Sequence, residues 1–220
     1  MKKNPFKWPL SAMCGVVIII LEVIFIGTAI LLWPATSEPF SIFTNYHSDL
    51  GNSMPGYNSF LGASYYNAAM AIQGTLLIMF FGGLYVVSQE DDERNTKLIL
   101  GQTLGIITGI GLLMCGVYPE QLLLMHLLWS LIYFIALIPA MILVSKEIIK
   151  NPDYSNSIGY FGLIVAFIDI IFSVLFTVLV LIVMSNGALQ PFMLFMEFAG
   201  YWSSEVWVLL IALNVLKVED

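Results

Sequence analysis

Charge is scarce in this chain. Of 220 residues, 10% are charged and 59% are apolar. A soluble fold with so little charge could not cover its own surface. Lysine and arginine together number 8, with no basic arm among them, which argues against nucleic acid as a partner. Histidine and cysteine are rarer still, two of each. Cys14 and Cys115 fall in different apolar runs, near opposite faces of the membrane those runs imply. A disulfide needs Cα atoms within about 7 Å, so they are expected to stay unpaired, buried thiols. No H-x-x-x-H or H-x-x-E-H spacing occurs, so a local zinc motif is missing. Much of the net charge of −7 comes from Glu90, Asp91, Asp92 and Glu93, which read as a solvated loop.

What fills the chain instead is apolar sequence, with a mean hydropathy of +0.89. Six runs are expected as helices, over residues 9–33, 62–87, 98–117, 121–144, 158–184 and 191–216. Each is close to the roughly 20 residues that cross a hydrocarbon core about 30 Å thick. The fold class is therefore all-α, a six-helix integral membrane bundle in one transmembrane domain over residues 1–220. The first run is too long for a signal-peptide core, and no small-x-small cleavage site follows it, so it reads as a retained helix. Lys2, Lys3, Lys7, Arg94, Lys97, Lys146, Lys150 and Lys217 all fall on the side that holds both termini. The positive-inside rule makes that side cytoplasmic and points the loop over residues 34–61 outward, in a cell membrane. Gly101, Gly105 and Gly109, spaced by four, are expected to form a ridge that another helix approaches closely.

The outward loop carries Tyr46-His47-Ser48-Asp49-Leu50-Gly51, with Pro34, Pro39 and Pro55 against a continuous helix. Its aromatic residues make it too apolar for a free tether, so it is expected to fold onto the membrane surface or into the bundle mouth. Pro119 ends the third helix and Glu120 opens the fourth. His126 should lie roughly 8–10 Å below that turn, with Ser130 on its face. Asn67 and Glu197 have similar depth in the second and sixth helices. Ser48, Asp49, Asn67, Glu120, His126, Ser130 and Glu197 are thus expected to line one pocket that binds membrane lipid.

Three uses of this pocket follow from its residue types. Non-catalytic lipid handling, or a His–carboxylate bond locking the loop to the bundle, needs no reaction. A lipid hydrolase would take His126, Asp49 and Glu120 as catalytic candidates. A zinc ion would draw on His47, Asp49 and His126. A third function class, a small transporter or channel, would use Glu22, Asp169 and Glu205, which counting places near mid-membrane. No lysine or arginine falls inside the expected spans to neutralise them, so protonation or bonds to Gln73, Gln102 or Tyr201 are expected.

The ordered set Ser48-Asp49-Leu50-Gly51, Pro55, Phe60, Asn67, Gly74, Gly109-x-Gly111, Gly116-Val117-Tyr118-Pro119-Glu120, His126 and Ser130 resembles the domain-of-unknown-function family 998. That group is similar to the Frag/DRAM/Sfk six-helix membrane proteins, in which a loop Ser-Asp and a fourth-helix His recur. The resemblance covers roughly residues 46–134, and Tyr118 stands where relatives often have Phe. It implies a six-helix bundle with Asp49 and His126 at its centre, and the eukaryotic relatives' links to lipid remodelling imply a lipid partner. The Ser, Asp and triple-His set of the alkaline ceramidase and adiponectin-receptor hydrolases is missing.

Overall fold

A computed structural model describes residues 8–34, 38–87, 95–182 and 190–218. Lys2, Lys3, Lys7, Arg94, the Glu90–Glu93 cluster and the Ser185-Asn186-Gly187 turn lie outside the described residues. In hydrocarbon every backbone N–H and C=O needs an internal partner, which drives runs this apolar into helices. Six helical spans are long and apolar enough to cross a membrane: Leu10–Leu31, Phe60–Val87, Thr96–Val117, Glu120–Lys150, Asn156–Thr177 and Gln190–Val218. No strand occurs among the described residues.

The first span is built from α1 (Leu10–Leu21) and α2 (Gly27–Leu31), joined by a π-helical turn over Glu22–Ile26. Such a turn widens the hydrogen-bond ladder by one residue and is frequent at functional sites. The remaining helices are α3 (Phe60–Gly82), α4 (Thr96–Val117), α5 (Leu123–Lys150), α6 (Asn156–Ile182) and α7 (Gln190–Val218). Ser59 caps α3 by accepting from the Gly62 N–H at 3.0 Å, and Asn95 caps α4 through Leu98 at the same distance. Each helix packs on its neighbours in sequence, and α7 returns to α1, closing the six spans into a ring.

The fourth helix runs past the expected end at Val144 to Lys150, which shortens the expected 146–157 connection to residues 151–155. Glu147 explains the extension. It accepts from Asn95 Nδ2 at 2.6 Å and from Lys150 Nζ at 2.7 Å, tying the last turn of α5 to the cap of α4. Pro139 sits inside α5 without ending it, as packed membrane helices tolerate.

The glycine ridge divides between two neighbours. A Cβ on Gly105 or Gly109 would run into Phe81 or Ile78 and the Gly74 carbonyl of α3, whereas one on Gly101 would meet Leu143 and Val144 of α5. A step of four residues rotates by roughly 40° about a 3.6-residue helix, so three glycines turn the ridge from one neighbour towards the next. The tightest crossing pairs Gly74 with Gly109 and Leu113, backbone against backbone.

Candidate functional site

The loop before α3 folds into the bundle mouth. Residues Ser48–Gly51 form one 3-10 turn packed on α3, and Leu50 is wholly buried. Two asparagines hold it there. Asn58 Nδ2 donates to the Leu50 carbonyl at 2.9 Å and to the Ala29 carbonyl at 3.1 Å; Asn67 Nδ2 donates to the Gly51 carbonyl at 3.0 Å. Gly51 is required because a side chain there would collide with Tyr66 and Asn67. Irregular backbone at such depth is tolerated where protein surrounds it.

His47 is carried to the bottom of this loop and is buried. Its backbone N–H donates to Glu197 Oε2 at 3.0 Å, and its Nδ1 meets the Tyr66 hydroxyl at 2.9 Å. Its ring lies 4.3 Å, centroid to centroid, from Tyr201. Nε2 faces Glu22 Oε1 at 3.9 Å, too far for a hydrogen bond, and neither atom has another protein partner. Burial pushes the His47 pKa down to about 3, so the ring is neutral.

Glu22 stands at the π-helical turn, and its Oε2 accepts from Gln73 Nε2 at 2.7 Å and from the Tyr201 hydroxyl at 3.3 Å. Tyr201 also donates to Gln73 Oε1 at 2.7 Å. Gln73 and Tyr201 are thus partners of a mid-span acid, as expected, whereas Gln102 instead donates to the Phe81 carbonyl. Asp169 is buried with both carboxyl oxygens unpartnered against Gly200, and Glu205 Oε2 is likewise unpartnered.

Nearer the membrane surface, Asp49 Oδ2 accepts from the Tyr46 N–H at 2.8 Å and faces the Glu120 carboxyl closely enough to share a hydrogen bond. Burial raises the Asp49 pKa, and the Tyr46 N–H, Glu120 and Asn45 partly offset it. Tyr46 is pushed up to about 12 by burial and then by the charges of Glu197, Asp49 and Glu120. His126 turns back to the end of α4, its Nδ1 meeting the Tyr118 carbonyl at 2.9 Å, where it satisfies one of the helix-terminal acceptors.

Between these groups lies a cavity of about 40 Å³, room for a few water-sized groups. Of the expected pocket residues, Ser48, His126, Ser130 and Glu197 line it. Asn67 anchors the loop instead, and Asp49 and Glu120 pair beside it. Ser130 Oγ is matched with Cys115 Sγ at 3.4 Å rather than with His126, so no hydroxyl–imidazole pair is assembled on α5.

The zinc set does not fit. His47 faces Tyr66 and Glu22, Asp49 faces Tyr46 and Glu120, and His126 faces Tyr118. Among the described residues no three His, Cys, Asp or Glu side chains gather to hold one ion.

Sequence reasoning missed the lining tyrosines Tyr66 and Tyr133, the place of Tyr201 in the cavity lining, and the meeting of His47 with Glu22. One signal was available: Glu197, Tyr201 and Glu205 recur every four residues, which sets three polar side chains along one face of α7.

A family model described as a protein of unknown function, DUF998, matches residues 16–214. No curated protein and no solved structure matches the chain.

Proposed function

The chain belongs to the DUF998 family, and we propose that it binds and handles lipid at the outer leaflet of the cell membrane, through the cavity beneath the loop. The observation that carries this reading is the cavity's position. It sits at the loop end of the bundle, His47, Ser48, His126, Ser130 and Glu197 put polar groups into its lining, and the same end exposes the apolar side chains Phe43, Met54, Tyr57 and Phe60. Aromatic and apolar residues at that level suit the headgroup boundary. Lys97, Lys146, Lys150 and Lys217 gather at the opposite end, which the positive-inside rule makes cytoplasmic. The likeness of Ser48-Asp49 and His126 to the Frag/DRAM/Sfk positions points to lipid as well, by analogy.

The lining narrows the ligand. Glu197 borders the cavity, Asp49 and Glu120 lie beside it, and Tyr66, Tyr133, Phe134 and Tyr201 present rings to it. Acids and aromatic faces favour an ammonium group and disfavour a phosphate. A volume of about 40 Å³ admits the amine end of a headgroup and leaves the phosphate at the mouth. Addition of phosphatidylethanolamine to delipidated protein should raise its unfolding temperature, since a ligand of the native state stabilises it by mass action. Phosphatidylglycerol should raise it less, and Glu197→Gln should lose most of the difference. Equal responses to both lipids, or no response, would remove this reading.

A further inference from the structure

We propose that Glu22 is a proton-binding site inside the membrane and that His47 loads it from the loop-end cavity. The geometry is that of a relay. His47 borders the cavity together with Tyr66, whose hydroxyl lies 2.9 Å from Nδ1. The opposite ring nitrogen, Nε2, faces Glu22 Oε1 at 3.9 Å, and these two buried atoms have no other protein partner. Leaving both unmatched in a bundle this apolar is expensive, and a shift of about 1 Å closes them into an N–H···O bond of ordinary length. The π-helical turn at Glu22 supplies a local irregularity where such a shift can be absorbed.

The transfer balances on the ring. A proton leaves a cavity hydronium by way of the Tyr66 hydroxyl: the phenol O–H proton passes to Nδ1, and the hydronium restores the phenol proton and becomes water. At the other side the N–H bond at Nε2 breaks and an O–H bond forms on Glu22 Oε1. The carboxylate becomes an acid, and the imidazole is left neutral in its other tautomer. Reversal of the same steps returns the proton and restores the first tautomer. No imidazolium persists, in keeping with a ring that burial holds neutral.

The groups around the pair fit a stored proton. Glu197 of α7 accepts the His47 backbone N–H, Tyr201 of α7 and Gln73 of α3 hold Glu22 Oε2, and Glu205 of α7 interacts electrostatically with Glu22. Asp49 and Glu120 lie nearer the mouth. None of these is a cation that could balance a Glu22 carboxylate, so a proton is the species the site accepts. The relay stands on these interior contacts and does not rest on the lipid reading.

Infrared difference spectroscopy after a pH drop, on protein in nanodiscs, reads carboxyl protonation directly. Wild type should gain a protonated-carboxyl band that Glu22→Gln lacks and Asp169→Asn keeps. His47→Gln and Tyr66→Phe should reach the same final band but roughly 100-fold more slowly, the scale on which positioned acid–base groups act. A band that survives Glu22→Gln would overturn the site, and loading at the wild-type rate in both His47→Gln and Tyr66→Phe would overturn the route. If Glu22→Gln fails to fold, the rates of the other two variants still decide.

Discussion

His47 shows how one buried ring ties pH to stability. In the folded chain its pKa falls to about 3, whereas an unfolded chain titrates at about 6.5. Between those values the unfolded state binds the extra proton, so acid favours unfolding. The contribution is fully present above about pH 6.5 and is lost as the pH falls towards about 3. Asp49 acts with the opposite sign. Its folded pKa is raised, so its contribution is present below the unfolded value of about 4 and is lost as the pH rises through the folded value. Denaturation in detergent across pH 4–8, read by circular dichroism, separates the two. Wild type should weaken steadily below about pH 6.5, and His47→Gln should flatten that limb while leaving the Asp49 trend. An acid limb of the same slope in the variant would show that some other group carries it.

At the scale of elements, the ring of helices is set by where backbones can meet. Gly74 is the tightest backbone-to-backbone point: an added Cβ would run into Leu113 N and lie 2.6 Å from the Gly109 carbonyl. Both are backbone atoms, so no side-chain rotation relieves the clash and α3 must move off α4. Gly74→Ala should therefore destabilise by about 1–3 kcal/mol, the usual cost of overpacking. Gly27 has nothing within 4 Å of its Cβ position. Gly27→Ala should be neutral or stabilising by up to about 1 kcal/mol, through helix propensity. The pair is measured by unfolding in mixed micelles, and equal effects would show that contact geometry does not set these costs. The helices themselves were readable because hydropathy reports length directly, and the Gly109 contact was readable from spacing. The π-helical turn was not: Glu22-Val23-Ile24-Phe25-Ile26 has no feature in sequence that separates it from ordinary helix. Its occurrence depends on what Glu22 meets from α3 and α7.

At the scale of the molecule, the unforeseen feature is depth. Residue counting placed Glu22 at mid-membrane and His47 in a loop on the membrane surface or in the bundle mouth, yet the two face each other at 3.9 Å. Loop depth depends on long-range bonds, here Asn58 to Ala29 and Asn67 to Gly51, together with a position too tight for any side chain at Gly51. No local pattern encodes those partners. The acids Glu120 and Glu197 and the histidine His126 were legible because polar residues in apolar runs stand out. The lining tyrosines Tyr66 and Tyr133 were not, because they look like ordinary apolar filling until the fold turns them to one cavity. The same architecture makes a test of sidedness direct. Native Cys14 and Cys115 are buried, so they form a quiet background for thiol labelling. Met54 is exposed on the loop and Asp153 is exposed at the lysine end. With a membrane-impermeant maleimide on intact cells, Met54→Cys should label and Asp153→Cys should not; on inverted vesicles the pattern should reverse. Labelling of Asp153→Cys from outside would place the lysines outside. The His47 cavity would then open to the cytoplasm, and Glu22 would draw its proton from there.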